Sequence, residues 1–138
     1  MRTSGKINTA QELLNYNFHV VENGKSVNTS RSSKLALAVK TGFIFIQPQE
    51  ILKIESFGNQ SILSLVNGEE HVATRTLKEF EAMLGKEAFM RVHKCFIVNL
   101  EFVKRFDKEM NYIEMEDGSR ADVSRRKKEE FFRSFQYA

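Results

Sequence analysis

From residue 35 onward the chain is written as short apolar runs separated by Gly, Asn, Asp and Pro. Leu35-Ala36-Leu37-Ala38-Val39 reads as a strand, Lys40-Thr41-Gly42 as its turn and Phe43-Ile44-Phe45-Ile46 as the returning strand. Pro48 offers no amide hydrogen and stops the pairing there. A third strand at residues 51–55 is interrupted at Gly58-Asn59, and a fourth at 61–66 ends at Asn67-Gly68, a residue pair whose backbone suits a tight hairpin. Later runs at 96–98, 102–106, 112–115 and 121–123, with Asp117-Gly118 between the third and fourth, continue the same pattern.

Two stretches change period. Thr76-Leu77-Lys78-Glu79 has the spacing of a capping box, and Leu77, Phe80, Met83 and Leu84 recur at helical intervals before Gly85, which predicts a helix over 77–84. Ser124 can cap a last helix carrying Phe131, Phe132 and Phe135 on its apolar side. Residues 1–33 are polar and read as an N-terminal arm or linker, with a short helix at 10–17 behind the capping box of Thr9 and Glu12. Its span 23–33 is expected to be mobile unless a partner orders it. Many short strands with one small central helix and one C-terminal helix predict a mostly β, antiparallel fold, in a domain spanning residues 34–138.

A chain of 138 residues with 41% hydrophobic positions can bury one core. No apolar run reaches the roughly 20 residues of a membrane-spanning helix, so no membrane partner is expected. The absence of a signal-peptide pattern and the single cysteine, Cys95, fit a cytoplasmic protein. The formal charge of +3 says little about nucleic acid, but its distribution says more. Arg120, Arg125, Arg126, Lys127 and Lys128 face only Asp122 in their stretch, while acidic residues collect elsewhere, as in Glu114-Met115-Glu116-Asp117. A solvated helix start is the plain alternative for that basic run. Four cations at the positive end of a helix are easier to understand with phosphate nearby.

The segment Phe89-Met90-Arg91-Val92-His93-Lys94-Cys95-Phe96-Ile97-Val98-Asn99-Leu100, the later Ser124-Arg125-Arg126 and the earlier Thr76-Leu77-Lys78-Glu79-Phe80 resemble, in order and spacing, the LytTR family of bacterial DNA-binding domains. The resemblance covers roughly residues 34–135. It implies an elongated stack of small antiparallel sheets whose loops, rather than a recognition helix, enter successive major grooves. It further implies the output half of a two-component response regulator or related transcription factor. The expected partner is double-stranded DNA carrying a repeated site, bound by two copies, with a sensor or receiver as upstream partner. The stretch before Lys34 is too short for a receiver domain, so no phosphorylation input is expected within this chain.

Carried over residue by residue, the resemblance matches the reading loops to Gly58-Asn59-Gln60, to His93-Lys94 and to Arg125-Arg126. Arg suits guanine O6 and N7, and Asn or Gln suits adenine N6 and N7, so Arg126, Lys94, Gln60 and Asn59 are the expected base contacts. Arg91, His93, Ser124, Arg125 and Lys127 are the expected phosphate contacts, which set register without reading sequence. His93 has a structural reading beside this one, as a hydrogen-bonding residue of its loop. Asn99 is read as a turn residue bonding local backbone, and Cys95 as a small buried hydrophobe.

Other classes find less support. His93 and Cys95, read as lying on one strand, would make a poor nucleophile and base, and no nucleotide-binding fingerprint occurs. His19, His71 and His93 are too scattered for a metal site, so neither catalysis nor a metal or other cofactor is expected. The alternative function is a signalling or protein-interaction module with a weak or lost DNA face. A further alternative, single-stranded nucleic acid stacked on Phe43, Phe45 and Phe57, competes with a simpler reading of those rings as core.

Overall fold

The computed structural model describes residues 31–138 and, before them, the backbone of two strands, 19–22 and 25–28. The helix expected at 10–17 lies outside the described residues. The chain is mostly β, and every strand pairing described is antiparallel. It divides into two compact units, one ending at Pro48 and one running from Gln49 to Ala138.

In the first unit, β1 (His19–Glu22) pairs with β2 (Lys25–Asn28), and β3 (Leu35–Val39) with β4 (Gly42–Ile46). The polarity of residues 19–28 gave no strand there, and β2 lies within the span expected to be mobile. In that hairpin Val20 stands opposite Val27 and Val21 opposite Ser26. In the second hairpin, Leu37 and Ile46 are buried while Ala36 and Phe45, opposite each other in register, are exposed. Phe45 is therefore not core, with 64% of its surface exposed.

The second unit is built on a five-stranded sheet in the order β7-β6-β5-β9-β8. Its strands are β5 (Ile51–Phe57), β6 (Gln60–Leu65), β7 (Glu70–Ala73), β8 (Phe89–His93) and β9 (Phe96–Asn99). A three-stranded sheet follows, of β10 (Val103–Asp107), β11 (Tyr112–Met115) and β12 (Arg120–Asp122). Leu52, Met90, Val92 and Val98 from the large sheet pack with Ile113, Met115, Ala121, Val123 and Phe131. Ile54, Leu63 and Ile97 stand in register across β5, β6 and β9 and are fully buried as well. Ile97 is next to Val98 and so lies on the other face, and the register shift between Ile51 and Lys53 lets Ile54 share that face although Leu52 lies on the first. Since the small sheet and C-terminal helix occupy the first face, helix α1 (Leu77–Leu84), with buried Leu77 and Phe80, covers the second.

Helix α1 occupies the predicted span. Thr76 Oγ1 accepts from the Glu79 amide at 3.3 Å and the Glu79 carboxylate accepts from the Thr76 amide at 2.9 Å, which completes the capping box. Gly85 takes φ 75° just past the last turn, where a side chain would be strained. At the other end of the unit, Ser124 caps a 3-10 turn, Arg125–Lys127, before the helix proper, α2 (Lys128–Arg133). Phe131 is buried, with Phe132, Phe135 and Phe106 ringed around it.

Two local expectations are corrected and a third is extended. Phe57, read as core, is 58% exposed at the end of β5. Cys95 is only half-buried, and it sits in the β8–β9 turn rather than on one strand with His93, because β8 ends at His93. Asn99 bonds local backbone as expected, accepting from the Glu101 amide at 3.0 Å, but it is also buried and donates to Ile51 O at 3.0 Å, far away in sequence.

Candidate nucleic-acid interface

Strand β8 supplies the first part of the site. Its edge faces the segment after β12, where the Ser124 amide donates to Val92 O at 2.8 Å and brings the 3-10 turn beside the end of the strand. Arg91, His93, Lys94, Ser124, Arg126 and Lys127 consequently line one groove of about 500 Å³, together with Glu81 of α1. Six of the nine residues singled out from sequence meet in this groove.

The groove contains two kinds of cation. Arg91 is engaged: one guanidinium nitrogen donates to Lys94 O at 2.8 Å and another to Glu81 at 3.3 Å. Lys127 lies 3.5 Å from Glu130. Lys94 and Arg126, in contrast, are exposed, as is Arg125 just outside the groove, and among the described residues none of the three has a carboxylate within ion-pair distance. Unpaired cations aimed into water at the rim of a groove keep their hydrogen-bonding capacity for an incoming anion or base edge.

His93 and Ser124 are committed on one side and open on the other. His93 Nδ1 accepts from the Cys95 amide at 3.1 Å, which in the neutral ring puts the hydrogen on Nε2. Ser124 Oγ accepts from the Lys127 amide at 3.2 Å, and its own hydrogen is available to an acceptor. Both residues line the groove, and each keeps a donor that no described group accepts.

The remaining sequence-predicted residues stand apart. Arg125 adjoins the groove in sequence without lining it, and Asn59 and Gln60 are at the β5–β6 tip, two strands from β8. Gly58 has φ 61°, the left-handed conformation that lets this hairpin close tightly. The tip is tied to the β8–β9 turn, for the Ser56 amide donates to Cys95 O at 2.9 Å. The three loops therefore belong to neighbouring ends of one framework. Glu81 was not foreseen: on a helix whose apolar stripe is Leu77, Phe80, Met83 and Leu84, it reads as one more solvated charge. Among the described residues no group of three or more His, Cys, Asp or Glu side chains could hold a metal ion.

The family model of the LytTr DNA-binding domain matches residues 41–136, most of the chain. The chain belongs to the LytTR family. Over 101 residues, 70% of this chain and 40% of the relative, it is 30% identical to the sensory transduction protein LytT of Bacillus anthracis. Over 82 residues, 59% of this chain and 35% of the relative, it is 26% identical to the transcriptional regulatory protein NatR of Bacillus subtilis. The match thus spans well under half the length of either relative. A solved LytTr DNA-binding domain from a Bacillus cereus response regulator superposes with a TM-score of 0.66 at 24% identity, covering 77% of this chain and 99% of that one, which shows the same fold. The LytTR fold accounts for the mixture of small antiparallel sheets, and the family's character as DNA-binding domains gives the groove of unpaired cations its context. Among the described residues, no helix is long and apolar enough to cross a membrane.

Proposed function

We propose that this chain is the sequence-reading part of a bacterial transcriptional regulator, acting on double-stranded DNA in the cytoplasm through loops set in successive major grooves. The observation that carries the reading is the convergence on one groove at the β8 edge of Lys94 and Arg126, both exposed and without an ion-pair partner among the described residues. Arg126 and Lys94 take base edges there, with Asn59 and Gln60 reading from the β5–β6 tip. His93 Nε2–H, Ser124 Oγ–H, Arg125 and Lys127 hold phosphates and fix the register. For Arg91 we propose a positioning role, holding the Lys94 turn, in place of the phosphate contact expected from sequence. Residues 34–138 form the DNA-binding domain and residues 1–33 an arm or linker. Two copies occupy a repeated site, and a sensor or receiver domain supplies the upstream signal.

The experiment is selection of bound sequences from a random duplex pool, followed by affinity for the enriched site across a salt series. The reading expects a short repeated motif and a steep fall of affinity with salt, because neutralised phosphates release their counterions. Failure to enrich any sequence at low salt would remove it and leave the interaction-module alternative, for which partner capture is the next step.

A further inference from the structure

Phe57 ends β5 with 58% of its surface exposed, at the tip of a hairpin that carries two of the amide side chains proposed to read bases. Its register partner is Gln60, so the two side chains leave the same face of the hairpin and flank the Gly58-Asn59 tip between them. One row back, the Ser56 amide donates to Cys95 O at 2.9 Å, which holds this tip at the level of the turn that carries Lys94. Phe57 therefore stands opposite the amide side chain of Gln60, on a loop whose strand is bonded to the turn that carries Lys94. More than half of that ring's surface is left to water.

We propose that Phe57 is a further specificity-determining residue, which sets its ring against the 5-methyl group of a thymine in the base step read by Asn59 and Gln60. The proposal rests on the DNA-binding function proposed above. On the major-groove edge the thymine methyl is the one apolar group that a base pair presents. Asn and Gln suit the N6 and N7 of adenine, whose pairing partner carries that methyl. A loop that presents an amide and a phenyl ring on one face thus matches both halves of an A·T pair. Its exposed ring gains by burial against the methyl what it cannot gain in the free protein.

The test uses the full chain and the duplex enriched by selection, with each thymine replaced in turn by uracil, which pairs identically but lacks the methyl. For the wild type, uracil at one position should weaken binding about fourfold, the worth of one buried methyl group. Phe57→Ala should lose a similar factor on the thymine duplex and lose nothing more on the uracil duplex, whereas Phe57→Leu should keep most of the preference. Equal uracil penalties in the wild type and Phe57→Ala, or no penalty at any position, would overturn the proposal while salt-sensitive duplex binding still supported the wider reading. No salt-sensitive duplex binding by the wild type would overturn both. Thermal melting checks that the variants fold, which the exposure of the ring leads one to expect.

Discussion

The guanidinium of Arg91 donates to the backbone oxygen of Lys94 at 2.8 Å, closing the β8–β9 turn from its own strand while a second nitrogen reaches Glu81 on α1 at 3.3 Å. Two acceptors at fixed angles suit the rigid fork of Arg and not the single ammonium of Lys. This makes Arg91→Lys a discriminating variant. A phosphate contact would survive the exchange, since Lys also binds phosphate as a point charge. A strut would not, and we predict that Arg91→Lys weakens specific DNA binding nearly as much as Arg91→Ala, by about 1.5–3 kcal/mol, the worth of a hydrogen bond to a charged group. Titration of the enriched duplex with both variants decides between the roles: near-wild-type affinity for the Lys variant would make Arg91 a phosphate contact.

Arg126 and Lys127 are neighbours with different surroundings, and their alanine variants should differ in kind. Arg126 is exposed and, among the described residues, has no carboxylate within ion-pair distance, while Lys127 lies 3.5 Å from Glu130 and supplies the amide that Ser124 caps. Arg126→Ala is expected to cost about 1–3 kcal/mol on the specific site and to relax preference at one base position. Lys127→Ala is expected to weaken all sequences alike and to lower the salt slope by about one. Affinities on specific and scrambled duplexes over a salt series separate the two patterns, and equal losses on both duplexes for Arg126→Ala would remove it from base reading.

Where the chain carries local chemistry, sequence was a sufficient guide to structure. Helix α1 came out at 77–84 because Thr76, Glu79 and Gly85 mark its ends through groups that lie within a turn of one another. Strand β7 was not legible: Glu70-His71-Val72-Ala73 has little apolar alternation, and it forms because β6 offers a free edge. Phe57 and Phe45 were misplaced because alternation shows that two residues share a face without saying which face meets water. The groove was half legible. Its cations lie in segments with family-like spacing, but the Glu81 contact to Arg91 joins a helix to a strand, and nothing local in either marks the other.

Asn99 is 2% exposed, and its two amide atoms do different work. Oδ1 accepts from the Glu101 amide at 3.0 Å and Nδ2 donates to Ile51 O at 3.0 Å, so the side chain joins the end of β9 to the start of β5. Removing it leaves a buried carbonyl and an amide without their partner, and Asn99→Ala should destabilise the protein by about 1–3 kcal/mol. Asn99→Asp should cost more, because it sets an oxygen against Ile51 O where an N–H had been. Denaturant unfolding measures both, and an unchanged midpoint in Asn99→Asp would show that the Ile51 contact contributes nothing.

Two turn carboxylates give stability a defined dependence on acid. Asp107 accepts from the Met110 amide at 2.9 Å and the Glu109 amide at 3.0 Å, and these bonds, with Arg105 and Arg120 nearby, hold its carboxyl below the ordinary range. At Asp117 burial pushes the carboxyl upward, but the Ser119 hydroxyl and amide, at 2.6 Å and 2.8 Å, and the charge of Lys53 outweigh it, so the net shift is again downward. A carboxyl whose folded value is depressed stabilises the protein above its unfolded value. That contribution is lost as pH falls through the folded value. Asparagine keeps the accepting oxygen and removes the ionisation, so wild type should exceed Asp107→Asn and Asp117→Asn in stability near neutral pH. From about pH 5 downward the gap should narrow, closing in strong acid. Thermal midpoints of the three proteins over a pH series test this, and a gap that stays constant into acid would mean that the turns are held by geometry alone, without the carboxylate charge.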